Sequence, residues 1–402
     1  MKEGWTYKKL GECFTSINNG ANIRQIKGAD GFPITRIETL TNDKFNRDRM
    51  GYANIFDVAP YSSYILNDGD ILMSHINSMK FLGRAVEYSK KNSETIIHGM
   101  NLLRLVPATD VLSSFIIYQF QTQVFKNQIA SISHQSVNQA SFNIANLRRL
   151  NIIVPSLFDQ RRIVSRLDSA FSHIDELKAK AEKQLSEAKA LFQKALAEEM
   201  KPKEGWEEKS LKEIGQTQTG TTPSKTDLTN YGDYIPFIRP SEIDYDGCGN
   251  INYNSEIKLS ECGLKLGRLF KAHSILMVCI GATISKVGFC MHDISCNQQI
   301  NVLTPTDGYD YKFVYYAMRN KEFKDKVIKD GTSAQATLPI INKGKWEKLT
   351  IFCPSIGVQH RIVSYLDSLS ANIRKLEEIQ RKTLAECDAL KQALLREVFE
   401  GE

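Results

Sequence analysis

The stretch PSLFDQRRIVSRLDSAFSHIDELKAKAEKQLSEAKALFQKAL, residues 155–196, returns as PSIGVQHRIVSYLDSLSANIRKLEEIQRKTLAECDALKQALL, residues 354–395. Pro-Ser, Gln160/Gln359, Arg162-Ile163-Val164/Arg361-Ile362-Val363 and Leu167-Asp168-Ser169/Leu366-Asp367-Ser368 stay in register at an offset of 199 residues. That offset far exceeds the roughly 20–50 residues of a solenoid unit, so the chain is a duplicated half-protein. Duplicated halves suit a target that also comes in two parts.

The duplication has a front end. Glu3-Gly4-Trp5 is answered by Glu204-Gly205-Trp206, each followed by a Lys-rich turn and a leucine, Leu10 or Leu211. Between front and back the halves diverge. Asp70-Ile71-Leu72-Met73 resembles Ser274-Ile275-Leu276-Met277, Arg36 has a setting like that of Arg239, and Ser136 with Gln139-Ala140-Ser141 parallels Ser333 with Gln335-Ala336-Thr337. Four segments follow: variable globular parts at 1–154 and 204–353, and similar helical tails at 155–203 and 354–402.

In the tails, apolar residues step by threes and fours. The first stripe runs Leu167, Phe171, Ile174, Leu177, Ala181, Leu185, Ala188, Phe192, Ala195. The second runs Leu366, Leu369, Ile373, Leu376, Ile379, Leu384, Cys387, Leu390, Leu394, Val398. Such stripes want a helical partner. A globular part separates the two tails, so an antiparallel coiled-coil pair of roughly 65 Å is expected. Ser156 and Asp159 form a capping-box pattern; Ser355 is followed by Val358 instead, which predicts a weaker second start.

The variable parts read as mixed α/β (α+β). Short apolar runs at 71–73, 102–106, 275–280 and 300–303 look like strands. The longest apolar stretch, 275–284, reads as a buried strand and is too short to span a bilayer. The segment MKEGWTYKKLGE lacks the apolar core of a signal peptide, and eight irregularly spaced cysteines read as reduced thiols. The expectation is a cytoplasmic protein with no membrane partner. Net charge is +6, with +5 in residues 1–150 and zero in 204–350, compatible with a polyanion but equally with an ordinary soluble surface.

Polar and basic loops are the candidate binding residues: Arg36, Asn42, Lys44 and Arg47, then His134, Gln135, Ser136 and Asn138, in the first half. The second half offers Thr221, Ser224 and Lys225, Arg239 and Ser241, Lys286, and Ser333 and Gln335. Arg, Gln, Asn, Ser and Thr supply the hydrogen bonds that distinguish base edges and hold phosphates. Solvated loops have the same composition.

With these motifs in place, the chain resembles the specificity subunit of a type I restriction–modification system along nearly its full length. Pro-x-x-x-x-Gln-x-x-Ile-Val, at 155–164 and 354–363, resembles the start of that family's spacer helices. TGTTPSKTDLTNYGDYIPFIRPSEI, at 219–243, resembles the opening of its target-recognition domains. The acid usual before the Gln is present as Asp159 and replaced by Val358. The resemblance implies two target-recognition domains, each reading a few base pairs of double-stranded DNA, held apart by antiparallel spacer helices. It implies a bipartite, asymmetric site. It also implies two adenine-methylating modification subunits docked on the spacers, where Gln160, Arg162, Gln359 and Arg361 are the candidates, and a motor-nuclease subunit for cleavage.

Catalysis is expected in those partners rather than here, with no cofactor. There is no Gly-x-x-x-x-Gly-Lys-Ser/Thr loop and no Asn-Pro-Pro-Tyr or Asp-Pro-Pro-Tyr. Cys290, His292 and Cys296 have the wrong spacing for tetrahedral zinc. Asp246, Glu256 and Lys258 could form a nuclease-like Mg²⁺ set, but Glu-x-Lys is common, and Glu176-Leu177-Lys178 is another. Two other readings stay open: an autonomous endonuclease, and a coiled-coil scaffold that binds protein.

Overall fold

A computed structural model describes residues 5–41, 43–137, 139–244, 247–254, 257–331 and 339–401. The chain forms two compact units, one of residues 1–180 with 382–402, the other of residues 181–381.

Each unit is built on a four-stranded antiparallel sheet with the same strand order. In unit 1 the order is Phe14–Asn19, Leu102–Pro107, Ile71–Ser74, Ala85–Glu87; in unit 2 it is Gly215–Thr219, Ile300–Pro305, Ile275–Val278, Val287–Phe289. The central strands Ile71–Ser74 and Ile275–Val278 are buried throughout, because both faces of the sheet are covered. Ile71 and Met73 enter one core cluster while Leu72 enters another. Ile275 and Met277, against Leu276 and Val278, divide in the same way. That is why these runs read as continuous apolar stretches instead of alternating. The run 275–284 is only partly strand: the strand ends at Val278, a lone bridge joins Ile280 to Ile340, and the chain turns through Gly281, whose φ of 94° favours glycine.

In each unit the first strand pairs with the last, Thr6–Lys9 with Asn151–Val154 and Glu207–Ser210 with Thr350–Cys353. Leu10 and Leu211, the echoed leucines, are fully buried beside these pairs.

The repeated tails are single helices, Leu157–Glu199 and Ile356–Phe399. Within unit 1 the start of the first helix packs on the end of the second. Arg166 pairs with Glu397 at 2.7 Å and Lys391 with Asp175 at 2.6 Å, an antiparallel register. Ile163, Leu167, Phe171 and Ile174 share the unit 1 core with Leu395, Val398 and Phe399. Within unit 2 the roles reverse: Phe192 and Leu196 join Ile362, Val363 and Leu366, and Lys189 pairs with Glu377 at 2.6 Å. Three residues of the expected stripes are exposed instead, Leu177 at 56%, Ile379 at 59% and Leu390 at 50%. A single partner helix covers only a narrow seam, so stripe positions off that seam face water.

All eight cysteines are free thiols, and burial pushes those of Cys13, Cys279 and Cys290 up to about 11. Cys290 and Cys296 lie in an apolar cluster of unit 2, while His292 packs against Tyr253.

Candidate nucleic-acid interface

The motif that marks each helix start is a joint. Gln160 is fully buried; its side-chain oxygen accepts from Leu112 N–H at 2.8 Å, and its amide donates to the carbonyls of Asp110 and Pro155, both at 2.9 Å. Gln359 repeats the set: it accepts from Asp310 N–H at 2.9 Å and donates to the carbonyls of Gly308 and Pro354 at 3.3 and 2.9 Å. A buried primary amide satisfies three backbone groups at once, which no shorter or apolar side chain could do. Gln160 and Gln359 are therefore latches between helix and globular part, and the docking role expected of them is corrected: no face is left for a partner. Arg162, 73% exposed, and the exposed Arg361 do present free surface.

The second repeated motif is a joint too. Leu167 and Leu366 are buried, and the next residue accepts from a tyrosine of the globular part. Tyr118 donates to Asp168 at 2.5 Å and Tyr316 to Asp367 at 2.7 Å, with Lys312 adding an ion pair to Asp367 at 2.5 Å. Burial, then the neighbouring carboxylate, pushes both phenols above their ordinary range. Sequence reading registered Leu-Asp-Ser as a repeat but missed its tyrosine partners, which lie about fifty residues earlier. Ser156 caps the first helix, with Asp159 N–H donating to Ser156 Oγ at 3.2 Å, and the Ser156 hydroxyl in turn donates to the Asp159 carboxylate at 2.8 Å.

Beyond the joints, each unit presents polar loops. Arg36 and Arg239 sit on equivalent edges. Ala21 N–H donates to the His98 carbonyl and Thr35 N–H to that of Ile97; in unit 2, Thr221 N–H donates to Cys296 and Asn297 N–H to Ile238. Gly20 and Gly220 allow this close approach, since a Cβ there would meet backbone carbonyl groups at 2.4 and 2.2 Å. The arginines are held differently. Arg36 lies 3.4 Å from exposed Glu38 and lines a cavity of about 250 Å³ with Gln25 and Asn101. Arg239 is gripped at 2.8 Å by Glu242, a buried carboxylate. Burial pushes the Glu242 carboxyl up, but hydrogen bonds from Arg239 and Ser241 outweigh it, and the net shift is down.

Thr222 bonds Gln298, which brings the 219–225 loop, Arg239 and the exposed Gln298 and Gln299 to one edge of unit 2. Those glutamines were hidden in sequence behind the strand that follows them. Ser224 and Lys225 are exposed on the same loop, and Ser241 donates to Glu242 at 2.9 Å.

Arg47 is corrected. It donates from two nitrogens to Glu94, at 2.8 and 2.5 Å, and to the Ser89 carbonyl at 2.8 Å, and it stacks on Phe45 and Tyr88. Two of its three guanidinium nitrogens are bonded inside the unit, and it holds the Glu94 carboxyl down to about 2. Lys44 is exposed on a neighbouring short strand. His134 and Gln135 are exposed on the edge strand of a three-stranded ribbon, closed by a turn in which Ser136 N–H donates to the Gln139 carbonyl at 2.7 Å. Val137 at its tip is 98% exposed. Arg36 and this ribbon thus stand on different supports within unit 1. Asn42, Asn138, Ser333 and Gln335 lie outside the described residues, as do Asp246 and Glu256; Lys258 lies 3.4 Å from Asp233.

One basic feature escaped the sequence reading. Lys80, Arg84 and Lys126 line a cleft of about 350 Å³ in unit 1, with Asp43 at its rim. Among the described residues there is no His/Cys/Asp/Glu group that could hold a metal and no helix long and apolar enough to cross a membrane.

The model of the type I restriction modification DNA specificity domain matches this chain twice, at residues 2–187 and 203–386. A Methanocaldococcus jannaschii relative, named as the MjaX type I restriction enzyme specificity subunit, is 27% identical over 422 residues, covering 100% of this chain and 94% of its own. A chain from a structure of the assembly and conformational transition of a type I restriction–modification system superposes with a TM-score of 0.77 at 18% identity, covering 99% of this chain and 98% of its own. The HsdS subunit from Thermoanaerobacter tengcongensis gives 0.55 at 18% identity, over 99% of this chain and 97% of its own. Two copies of the domain, each on the same sheet and the same helix joint, make this chain a member of the type I restriction–modification DNA specificity family.

Proposed function

We propose that this chain reads a bipartite, asymmetric site on double-stranded DNA, one half-site per unit, as the specificity subunit of a type I restriction–modification complex. The observation that carries the reading is the contrast inside the duplication. Strand order and helix joints are the same in both units, while the exposed polar edges differ. Two readers on one repeated frame would impose a fixed separation on two unlike half-sites, as dimer geometry imposes spacing on half-sites. The segments 1–154 and 204–353 act as the readers and 155–203 and 354–402 as the spacers.

The chain supplies recognition and no chemistry of its own; two adenine-methylating subunits and a motor-nuclease subunit supply that. The exposed Arg162 and Arg361 are the helix-start residues offered to those partners.

Mapping methylated adenines across the host genome, with the gene present and deleted, tests this. A two-part motif of fixed gap should vanish on deletion, and exchanging residues 1–154 should alter one half of it. A methylome untouched by deletion, or an exchange that alters both halves, overturns the reading.

A further inference from the structure

One loop in each unit carries a cation at the same structural position. In unit 1, Met73 pairs with Ala85, and Ser74 N–H donates to the Arg84 carbonyl at 2.8 Å. In unit 2, Met277 pairs with Val287, and Val278 N–H donates to the Lys286 carbonyl at 2.9 Å. Arg84 and Lys286 are equivalent, although the loops before them, 75–83 and 279–285, differ in length and chemistry. Each loop is also tied to a later stretch of chain: Ile76 pairs with Ser141, beside the exposed His134–Gln135 strand, and Ile280 bridges to Ile340. In unit 1 the loop that leads to the cation and the exposed His134–Gln135 strand thus border one ribbon.

We propose that Arg84 and Lys286 are matched phosphate anchors, one per unit, which fix the duplex against each sheet edge while neighbouring loops read the bases. The proposal rests on the DNA-reading function above. In unit 1 the guanidinium lies 4.5 Å from the Phe81 ring centroid and 3.3 Å from exposed Asp43, in the cleft it shares with Lys80 and Lys126. The ring orients the fork, and Asp43 occupies the place an incoming phosphate oxygen would take. Lys286 is half-buried and its ammonium has no ion-pair or hydrogen-bond partner among the described residues. A compact ammonium suits a phosphate as a point charge and carries no base preference.

The test is equilibrium binding of the full-length chain, in complex with its modification partner, across a range of salt. One duplex carries the methylated motif and a second is scrambled. Arg84→Gln and Lys286→Gln should each weaken both duplexes by the same factor. Each should also reduce the slope of log affinity against log salt by about 0.9, the value of one phosphate contact. Arg84→Lys should keep most of the slope. An unchanged slope, or a loss confined to the motif duplex, overturns the proposal. Lys286→Gln removes no partner, so it decides the matter even if Arg84→Gln unfolds unit 1. A wild-type complex that does not prefer the motif duplex sinks the DNA reading itself; a wild-type preference with unchanged variant slopes sinks only the anchors.

Discussion

The two joints and the two reading edges behave oppositely under duplication. At the joints, Gln160 and Gln359 make the same three hydrogen bonds, and Asp168 and Asp367 each hold a tyrosine. At the edges, a loosely held Arg36 faces Glu38 in one unit, and a gripped Arg239 faces buried Glu242 in the other. A buried joint has few solutions, because every polar group it covers must find a partner. An exposed edge has many, because water satisfies whatever is put there. The chain keeps its frame where physics allows little choice and varies where choice is free.

The joints should therefore break hardest. Gln359→Ala leaves the Asp310 N–H and the Gly308 and Pro354 carbonyls without their amide partner, at a cost of about 3 kcal/mol to unit 2. Denaturant unfolding followed by tryptophan fluorescence reads this, and Gln160→Ala should do the same to unit 1. Losses below about 0.5 kcal/mol would mean that the latches are idle.

The tyrosine–aspartate pairs sharpen the comparison. Asp367 also receives Lys312 and the unit 2 pair is the more buried, so Tyr316→Phe should cost about 1.5 kcal/mol and Tyr118→Phe less. A double-mutant cycle of each tyrosine with its aspartate isolates the bond. Equal coupling in the two units would show that burial does not set its strength.

Acid should separate the units by another route. Glu94 belongs to unit 1, and Arg47, its largest influence, holds its carboxyl down to about 2 from an ordinary 4.5. The unfolded chain takes up this proton first. The contribution to stability is therefore complete above about pH 4.5 and is lost as pH falls toward 2. Arg47→Met should flatten that loss in a pH series of unfolding midpoints. It should leave the salt slope of DNA binding unchanged if the Glu94 pair is the whole role of the guanidinium, and a slope reduced by about 0.9 would make Arg47 a phosphate contact as well.

How far the sequence could be read follows from the same division. The duplicated tails, the central strands and the paired fronts were legible, because periodicity and repetition are local signals. The roles of Gln160 and Arg47 were not. An amide or guanidinium looks the same whether it faces DNA or a carbonyl, and the Arg47 partner lies 47 residues away. Arg84 escaped for the converse reason: it follows an apolar Phe-Leu-Gly run, and only strand register reveals Lys286 as its counterpart.

The smallest effect on stability should come from the most consequential place. His134 and Gln135 stand exposed on an edge strand, so Gln135→Ala removes no buried contact and should shift the unfolding midpoint by less than about 0.5 kcal/mol. Its consequence should appear in the methylome alone, as relaxed choice at one position of one half-site. A bidentate base contact is worth about 1–3 kcal/mol of discrimination, enough to change which sites are marked. A variant that weakened all sites alike would move Gln135 from base reading to backbone contact. One that altered both halves would break the independence of the two edges, on which the duplicated frame depends.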